Sequence, residues 1–280
     1  MQLELILAWN KTAFEIGGFG IQWYAICIAT GALLGYFIFK QEGLAFGVPE
    51  DDLLDLVFWG IILGLIGARL YYVLFSLDNY IHNPIEIFNV RGGGMAIYGG
   101  VIAGMASLYT ICRQRNLSFV SILDAASPAM LLAQAIGRWG NFVNQEAHGD
   151  VVSRTFLESL GLPQWLINQM NIDGNYYHPT FLYESLWNVL GFVIILLTRH
   201  RLKSLKKGDV MAFYLIWYGT GRAVIEGMRT DSLYLGPLRV SQWLSIIMII
   251  FGVIWMIYRR NDKRIPYYHE IRLARNGVDK

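Results

Sequence analysis

Residues 239–258 read RVSQWLSIIMIIFGVIWMIY. After the opening arginine, no acidic or basic residue interrupts the run. A helix rises about 1.5 Å per residue, so about 20 apolar residues cross a hydrocarbon layer of roughly 30 Å. Inside lipid a helix also satisfies its own backbone groups, which an irregular chain does not. Six further segments have similar length and apolarity, at 20–39, 54–75, 95–112, 120–137, 179–198 and 210–228. The fourth is the weakest, because Asp124, Ser127, Pro128 and Gln134 interrupt it. Of the 280 residues 55% are hydrophobic and 16% charged, against roughly 25% charged in soluble domains. The expected fold is therefore all-α and membrane-integral, one polytopic domain over 1–280 with about seven transmembrane helices. A net charge of only +2 argues against a nucleic-acid partner.

Orientation follows from where the basic residues fall. Of 23 lysines and arginines, 15 lie in loops of one face and in the tail after Tyr258, and five on the other face. Arg69, Arg138 and Arg222 fall within or at the ends of spans. This places the N-terminus outside and the C-terminus in the cytoplasm. The segment 138–178 is then extracytoplasmic, and within it FLESLGLPQWLINQM is expected to lie on the membrane surface as an amphipathic piece. The basic, aromatic tail 259–280 suits anionic headgroups on the inner face. The N-terminus lacks a basic stretch ahead of its short apolar one, so the first span is expected to serve as the insertion signal. Cys27 and Cys112 fall at opposite ends of their spans. They read as small apolar residues, not as a disulfide.

Charge inside a bilayer is costly and usually functional. Arg138 ends the fourth span on the outer side. If the helix continues, Arg138, Asn141 and Gln145 share one stripe, flanked by Asn144 and followed by Glu146. In WYGTGRAVIEGMRTD, the residues Tyr218, Arg222, Glu226 and Arg229 share one helical face. Arg69 lies in the outer half of the second span, Glu184 one turn into the fifth, and Gln22 and Tyr24 at the start of the first. The inner half offers only Asp124 near a helix start, where a carboxylate suits the helix dipole. Arginines outnumber nearby carboxylates in this one-sided set, and surplus buried positive charge calls for an anionic ligand. In the outer leaflet that ligand is a phospholipid phosphate, which arginine pairs bidentately. Gly92, Gly93 and Gly94 permit an irregular backbone whose amides form an anion nest, with close helix packing as the plainer alternative.

At these residues the chain resembles the bacterial prolipoprotein diacylglyceryl transferases. The strongest likeness is Gly137–Gly149, GRWGNFVNQEAHG, which is similar to the family pattern G-R-x-G-N-F-x-N-x-E-x-x-G. GARLYYV, GGGMAIYGG, the stretch from Asp124 to Pro128, HPTFLYE and YGTGRAVIEGMR support it. The resemblance implies transfer of the diacylglyceryl group of phosphatidylglycerol to the thiol of a lipobox cysteine in a prolipoprotein signal peptide. The products are a thioether and glycerol 1-phosphate. It also implies a multi-pass protein of the bacterial plasma membrane whose site faces the outer leaflet. Arg138 and Arg222 match arginines that handle the lipid phosphate. Asn141, Asn144, Glu146 and Gly149 match the pattern, and Tyr24, Glu184, Tyr218 and Glu226 match other important positions. Arg69 joins the lipid-binding set. Tyr98 departs from many relatives, which carry a histidine there that has been suggested as the base.

The expected chemistry is nucleophilic substitution at a glycerol carbon. The substrate supplies the nucleophile, a thiol of ordinary pKa about 8.5 that must lose its proton. Charge grows on the departing phosphate, which Arg138 and Arg222 stabilise. Asn141 and Asn144 orient phosphate or headgroup oxygens. The base stays open among Tyr98, Glu226, His148 and His178, with Tyr98 favoured as a positioning or relay group. Neither a metal nor another cofactor is expected. A transporter would need polar groups continuing into the cytoplasmic half, and a non-enzymatic lipid-binding factor would release no glycerol phosphate.

Overall fold

The computed structural model describes residues 9–89, 93–230 and 233–271. Among them are seven helices of 18 residues or more: α1 Trp23–Ala45, α2 Glu50–Leu74, α3 Ile97–Gln114, α4 Phe119–Asn144, α7 Thr180–Thr198, α8 Asp209–Glu226 and α9 Val240–Arg260. Five of these, α1, α2, α4, α7 and α9, are long and apolar enough to cross a membrane. The helices α3 and α8 are the shortest at 18 residues each. Two short helices, α5 Arg154–Ser159 and α6 Gln164–Gln169, lie between α4 and α7. The strands are small. Thr12–Ile16 (β1) pairs with Phe19–Gln22 (β2), and Tyr234–Leu235 (β6) with Leu238–Arg239 (β7). Val151–Val152 (β3), Asn171–Ile172 (β4) and Asn175–Tyr177 (β5) form a sheet ordered β3-β5-β4.

The chain divides into two compact units, one within 40–123 and one within 1–39 and 124–273. In the first, α2 begins behind Pro49 with Glu50, Asp51 and Asp52 in its first turn, where carboxylates favour the positive helix end. Glycines seat α3 against α2. A Cβ at Gly67 would strike the Cβ of Ala103, and one at Gly99 would strike Tyr71 and the Gly67 carbonyl. This is the small-residue packing that lets helices approach closely in lipid. Beyond α2, the chain folds around Arg69. Its guanidinium donates to the carbonyls of Ile87 at 2.8 Å, Gly93 and Gly94 at 2.9 Å each, Glu86 at 2.6 Å and Asn89 at 3.0 Å.

The other unit is organised by α4. Its polar residues do not break it: the helix runs 26 residues with Pro128 inside. Proline removes the amide that would bond the Asp124 carbonyl. The Asp124 side chain, fully buried, does not serve its own helix start as expected. It accepts the amides of Gly208 at 2.6 Å and Met211 at 2.8 Å, so it caps α8. Helices α7 and α8 are joined by two tryptophans. Trp187 donates to the Trp217 carbonyl and Trp217 to the Trp187 carbonyl, both at 2.9 Å, and the rings stack at 4.2 Å and 13°. Gly191 lies under Trp217 and Gly221 under Trp187; a Cβ at either would collide with the indole.

The segment FLESLGLPQWLINQM is two short helices and not one. It forms α5 and α6, whose Leu157, Leu166, Ile167 and Met170 pack with Phe142 and Val143 of α4 and Phe181 of α7. Leu160 and Trp165 of the same segment stay exposed. Buried Gln169 ties this head down, accepting from the Trp9 amide at 2.9 Å and donating to the Val143 carbonyl at 3.2 Å.

Candidate active site

Helix α4 stops at Asn144 because Gln145 turns into the left-handed region at φ 55°. The Gln145 amide then bonds the Phe142 carbonyl at 3.2 Å and the Glu146 amide the Asn141 carbonyl at 3.1 Å. This pair of bonds is the Schellman helix end, here without its usual glycine. Two consequences follow. Gln145 leaves the expected stripe, and its side chain donates to the Gln169 carbonyl of the head at 2.9 Å. Glu146 is carried back beneath the helix, where its Oε1 accepts from Asn141 Nδ2 at 2.8 Å and Asn144 Nδ2 at 3.5 Å.

One turn earlier lies an ion-pair cluster drawn from three helices. Arg138 of α4 meets Glu184 of α7 at 2.6 Å, Nη2 to Oε1. Arg222 of α8 meets the other oxygen of Glu184 at 3.2 Å and Glu226 at 2.5 Å. The carboxylates are deeply covered, each with 4% of its side chain exposed, while Arg138 keeps 20% and Arg222 14%. Arg138 also bonds Asn141 Oδ1 at 3.3 Å, which links the cluster to the Glu146 turn. Tyr218, one turn before Arg222, lies within the electrostatic reach of Glu184, Arg138 and Arg222. Tyr218 stacks on Tyr214, whose hydroxyl is bonded by Gln134 at 3.0 Å. Tyr24, second residue of α1, presses its ring against Gly140. Among the described residues, Asn144 Oδ1 is buried with no hydrogen-bond partner.

Thus ten of the expected residues fall in one unit: Tyr24, Arg138, Asn141, Asn144, Glu146, Gly149, Glu184, Tyr218, Arg222 and Glu226. Gly149 acts through its backbone. Its amide donates to the His178 carbonyl at 3.1 Å, and a Cβ there would lie 2.7 Å from His178 and 3.0 Å from the Met228 carbonyl. Arg229 is not on the face shared by Tyr218 and Arg222, because α8 ends at Glu226; its backbone bridges Gly149 instead. Tyr98 and Arg69 belong to the other unit. Tyr98 is the half-buried second residue of α3. Arg69 departs from its expected role: all five of its N–H donors have carbonyl partners, leaving none for a lipid phosphate. For the glycine nest, the Gly93 and Gly94 carbonyls face a cation, and Gly92 lies outside the described residues. Among the described residues, the core of the cluster pairs Glu184 and Glu226 with Arg138 and Arg222 one for one, without the expected surplus of positive charge.

Residues 11–258 match the family model described as prolipoprotein diacylglyceryl transferase. The chain belongs to the prolipoprotein diacylglyceryl transferase family. Relatives named phosphatidylglycerol–prolipoprotein diacylglyceryl transferase agree along nearly the whole length. That of Streptococcus agalactiae is 50% identical over 92% of this chain and 99% of its own. That of Staphylococcus xylosus is 51% identical over 94% of each chain, and that of Enterococcus faecalis 48% over 93% of this chain and 94% of its own. For a family member of this kind, the apolar helices establish a multi-pass membrane protein. Sequence reasoning missed the reciprocal tryptophans and the capping role of Asp124. Trp187 and Trp217 read simply as apolar residues within spans.

Proposed function

We propose that this transferase moves the diacylglyceryl group of phosphatidylglycerol onto a lipobox cysteine at the cluster of Arg138, Glu184, Arg222 and Glu226. All seven long helices cross the membrane in this reading, with the N-terminus outside and the site open to the outer leaflet of the bacterial plasma membrane. The observation that carries it is the bridging of Arg138 and Arg222 by a single carboxylate, since two guanidinia held by one anion make a seat that another anion can take. A phosphodiester there accepts bidentate bonds from both arginines. The thiolate attacks the lipid's glycerol carbon, the carbon–oxygen bond breaks, and the electron pair stays on the phosphate. The growing phosphate charge faces fixed guanidinia in a low-dielectric site, which lowers the barrier. Asn141 stands one turn from Arg138 and Asn144 one turn further; the unpartnered Asn144 Oδ1 suits a hydroxyl of the glycerol headgroup. Tyr24, Glu146, Tyr218 and Gly149 hold the walls of this seat, and Tyr98 is kept as a relay group for the reaction.

The test uses purified protein, phosphatidylglycerol and a peptide carrying a lipobox cysteine. The expected result is a diacylglyceryl mass increment on the cysteine with equimolar glycerol phosphate. Lipid binding without either product would remove the reading.

A further inference from the structure

The reaction needs a proton acceptor, and the cluster's charge balance points to one. Among the described residues two guanidinia face two carboxylates there, so the core is neutral before any lipid arrives. Glu184 holds the position that matters. Its two oxygens are divided between the two arginines, at 2.6 Å from Arg138 and 3.2 Å from Arg222. Among the described residues, the Glu226 carboxylate pairs with Arg222 and with no other cation. A phosphate that takes the guanidinium edges now turned to Glu184 takes the place of that carboxylate, while Glu226 can keep its contact. We infer that Glu184 is an anionic stand-in for the lipid phosphate, and that the arriving phosphate converts it into the base that takes the cysteine proton. The inference rests on the phosphate seat proposed above.

The physical argument runs through desolvation. Glu184 has 4% of its side chain exposed. A charge so covered is costly to keep without a partner, so a displaced Glu184 draws the proton of the incoming thiol. The groups facing it are Arg138 from α4 and Tyr218 and Arg222 from α8, with Glu226 behind Arg222. Once Arg138 and Arg222 turn to phosphate, the remaining neighbours are a neutral phenol and a like charge. The step balances. The thiol S–H breaks and its proton goes to Glu184. The sulfur lone pair forms the bond to the glycerol carbon, the carbon–oxygen bond breaks, and its electron pair remains on the departing phosphate. Phosphate gains one negative charge as Glu184 loses one, so the net charge of the site is unchanged through the reaction. When glycerol phosphate leaves, Glu184 yields its proton to it or to water and returns to the arginines.

The experiment compares wild type with Glu184→Gln on two peptides. One carries cysteine in the lipobox; the other carries selenocysteine, whose selenol is ionised at neutral pH. A missing general base costs about 10²–10⁴ in rate. Glu184→Gln should therefore slow transfer to the cysteine peptide by about 100-fold or more. On the selenocysteine peptide the deficit should shrink to less than tenfold, with phosphatidylglycerol bound as tightly as by wild type or more so. Transfer to cysteine within threefold of wild type, an equal deficit on both peptides, or loss of lipid binding would each overturn the inference. The parent reading fails by a different sign, retention of phosphatidylglycerol binding in both Arg138→Ala and Arg222→Ala. If Glu184→Gln does not fold, Glu184→Asp, which keeps a carboxylate on a shorter arm, is compared on the same two peptides: a deficit on cysteine that shrinks to less than tenfold on selenocysteine supports the inference, and an equal deficit on both would overturn it.

Discussion

Replacing Trp187 with phenylalanine removes one half of the reciprocal pair that joins α7 to α8. The variant loses the indole donor to the Trp217 carbonyl, a 2.9 Å bond, worth about 1 kcal/mol net. It weakens a stack at 4.2 Å, which is worth roughly 0.5–1.5 kcal/mol beyond area. It also leaves part of the space over Gly221 unfilled, at roughly 1–2 kcal/mol. The sum is about 2.5–4.5 kcal/mol, or roughly 5–18 °C in apparent Tm at about 2–4 °C per kcal/mol. Trp217→Phe should behave alike, because the arrangement is reciprocal. The double variant should lose less than the sum of the singles by about 1 kcal/mol, the coupling expected of residues in direct contact. Glu184 lies one turn before Trp187, and Arg222 little more than a turn after Trp217. Transfer at a temperature where the variants stay folded should therefore fall about tenfold as the ion pair loses its register. The assay is a double-mutant cycle in detergent, read by thermal unfolding and by peptide modification. Additive single losses, or an apparent Tm unchanged to within about 2 °C, would refute the clamp.

Other perturbations follow from the same geometry. Asp124→Ala should lower stability by about 3–5 kcal/mol through two orphaned amides at the start of α8, and Asp124→Asn by about 1–2 kcal/mol, checked by thermal unfolding. Gly137→Ala should keep or raise stability, since nothing lies within 4 Å of the added carbon and alanine favours a helix by about 1 kcal/mol over glycine. Gly140→Ala should lower both stability and transfer, because the added carbon meets the Tyr24 ring. Hydrogen bonds from the Arg264 side chain and amide hold the Asp262 carboxyl down at about 2. Its folded value lies below the unfolded one, so its contribution to stability is complete above about pH 4 and fades as pH falls toward about 2. Carboxyl resonances in an NMR titration check this, and an ordinary midpoint near 4 would contradict it.

The long helices were legible because hydrophobicity persists over a membrane's width: 239–258 became Val240–Arg260 and 179–198 became Thr180–Thr198. The fourth helix was underrated because its polar residues were scored against lipid. Asp124 faces another helix's amides, and Gln134 a tyrosine hydroxyl, so neither meets hydrocarbon. The cluster that makes the candidate site was legible in its residue types and on the α8 face of Tyr218, Arg222 and Glu226. It failed where a helix ended. Periodicity carried Gln145 and Arg229 one turn too far, because nothing in their side chains announces a left-handed cap or the stop at Gly227. Arg69 misled for a related reason: an arginine inside a span signals a buried anion, yet it is equally served by the carbonyls of a loop folding over it. The head read as one amphipathic piece because FLESLGLPQWLINQM is mixed in composition throughout, while Pro163 and the left-handed Gly161 split it into two helices around a core.

The central claim is that Arg138 and Arg222 hold the lipid by its phosphate. It is tested most directly by equilibrium binding of phosphatidylglycerol and of diacylglycerol with the same acyl chains, to wild type, Arg138→Ala and Arg222→Ala. A charge-assisted bond is worth about 1.5–3 kcal/mol. Each substitution should therefore weaken phosphatidylglycerol binding by roughly 10–150-fold and leave diacylglycerol binding unchanged. Unchanged phosphatidylglycerol binding in both variants, or equal losses for the two lipids, would contradict the account.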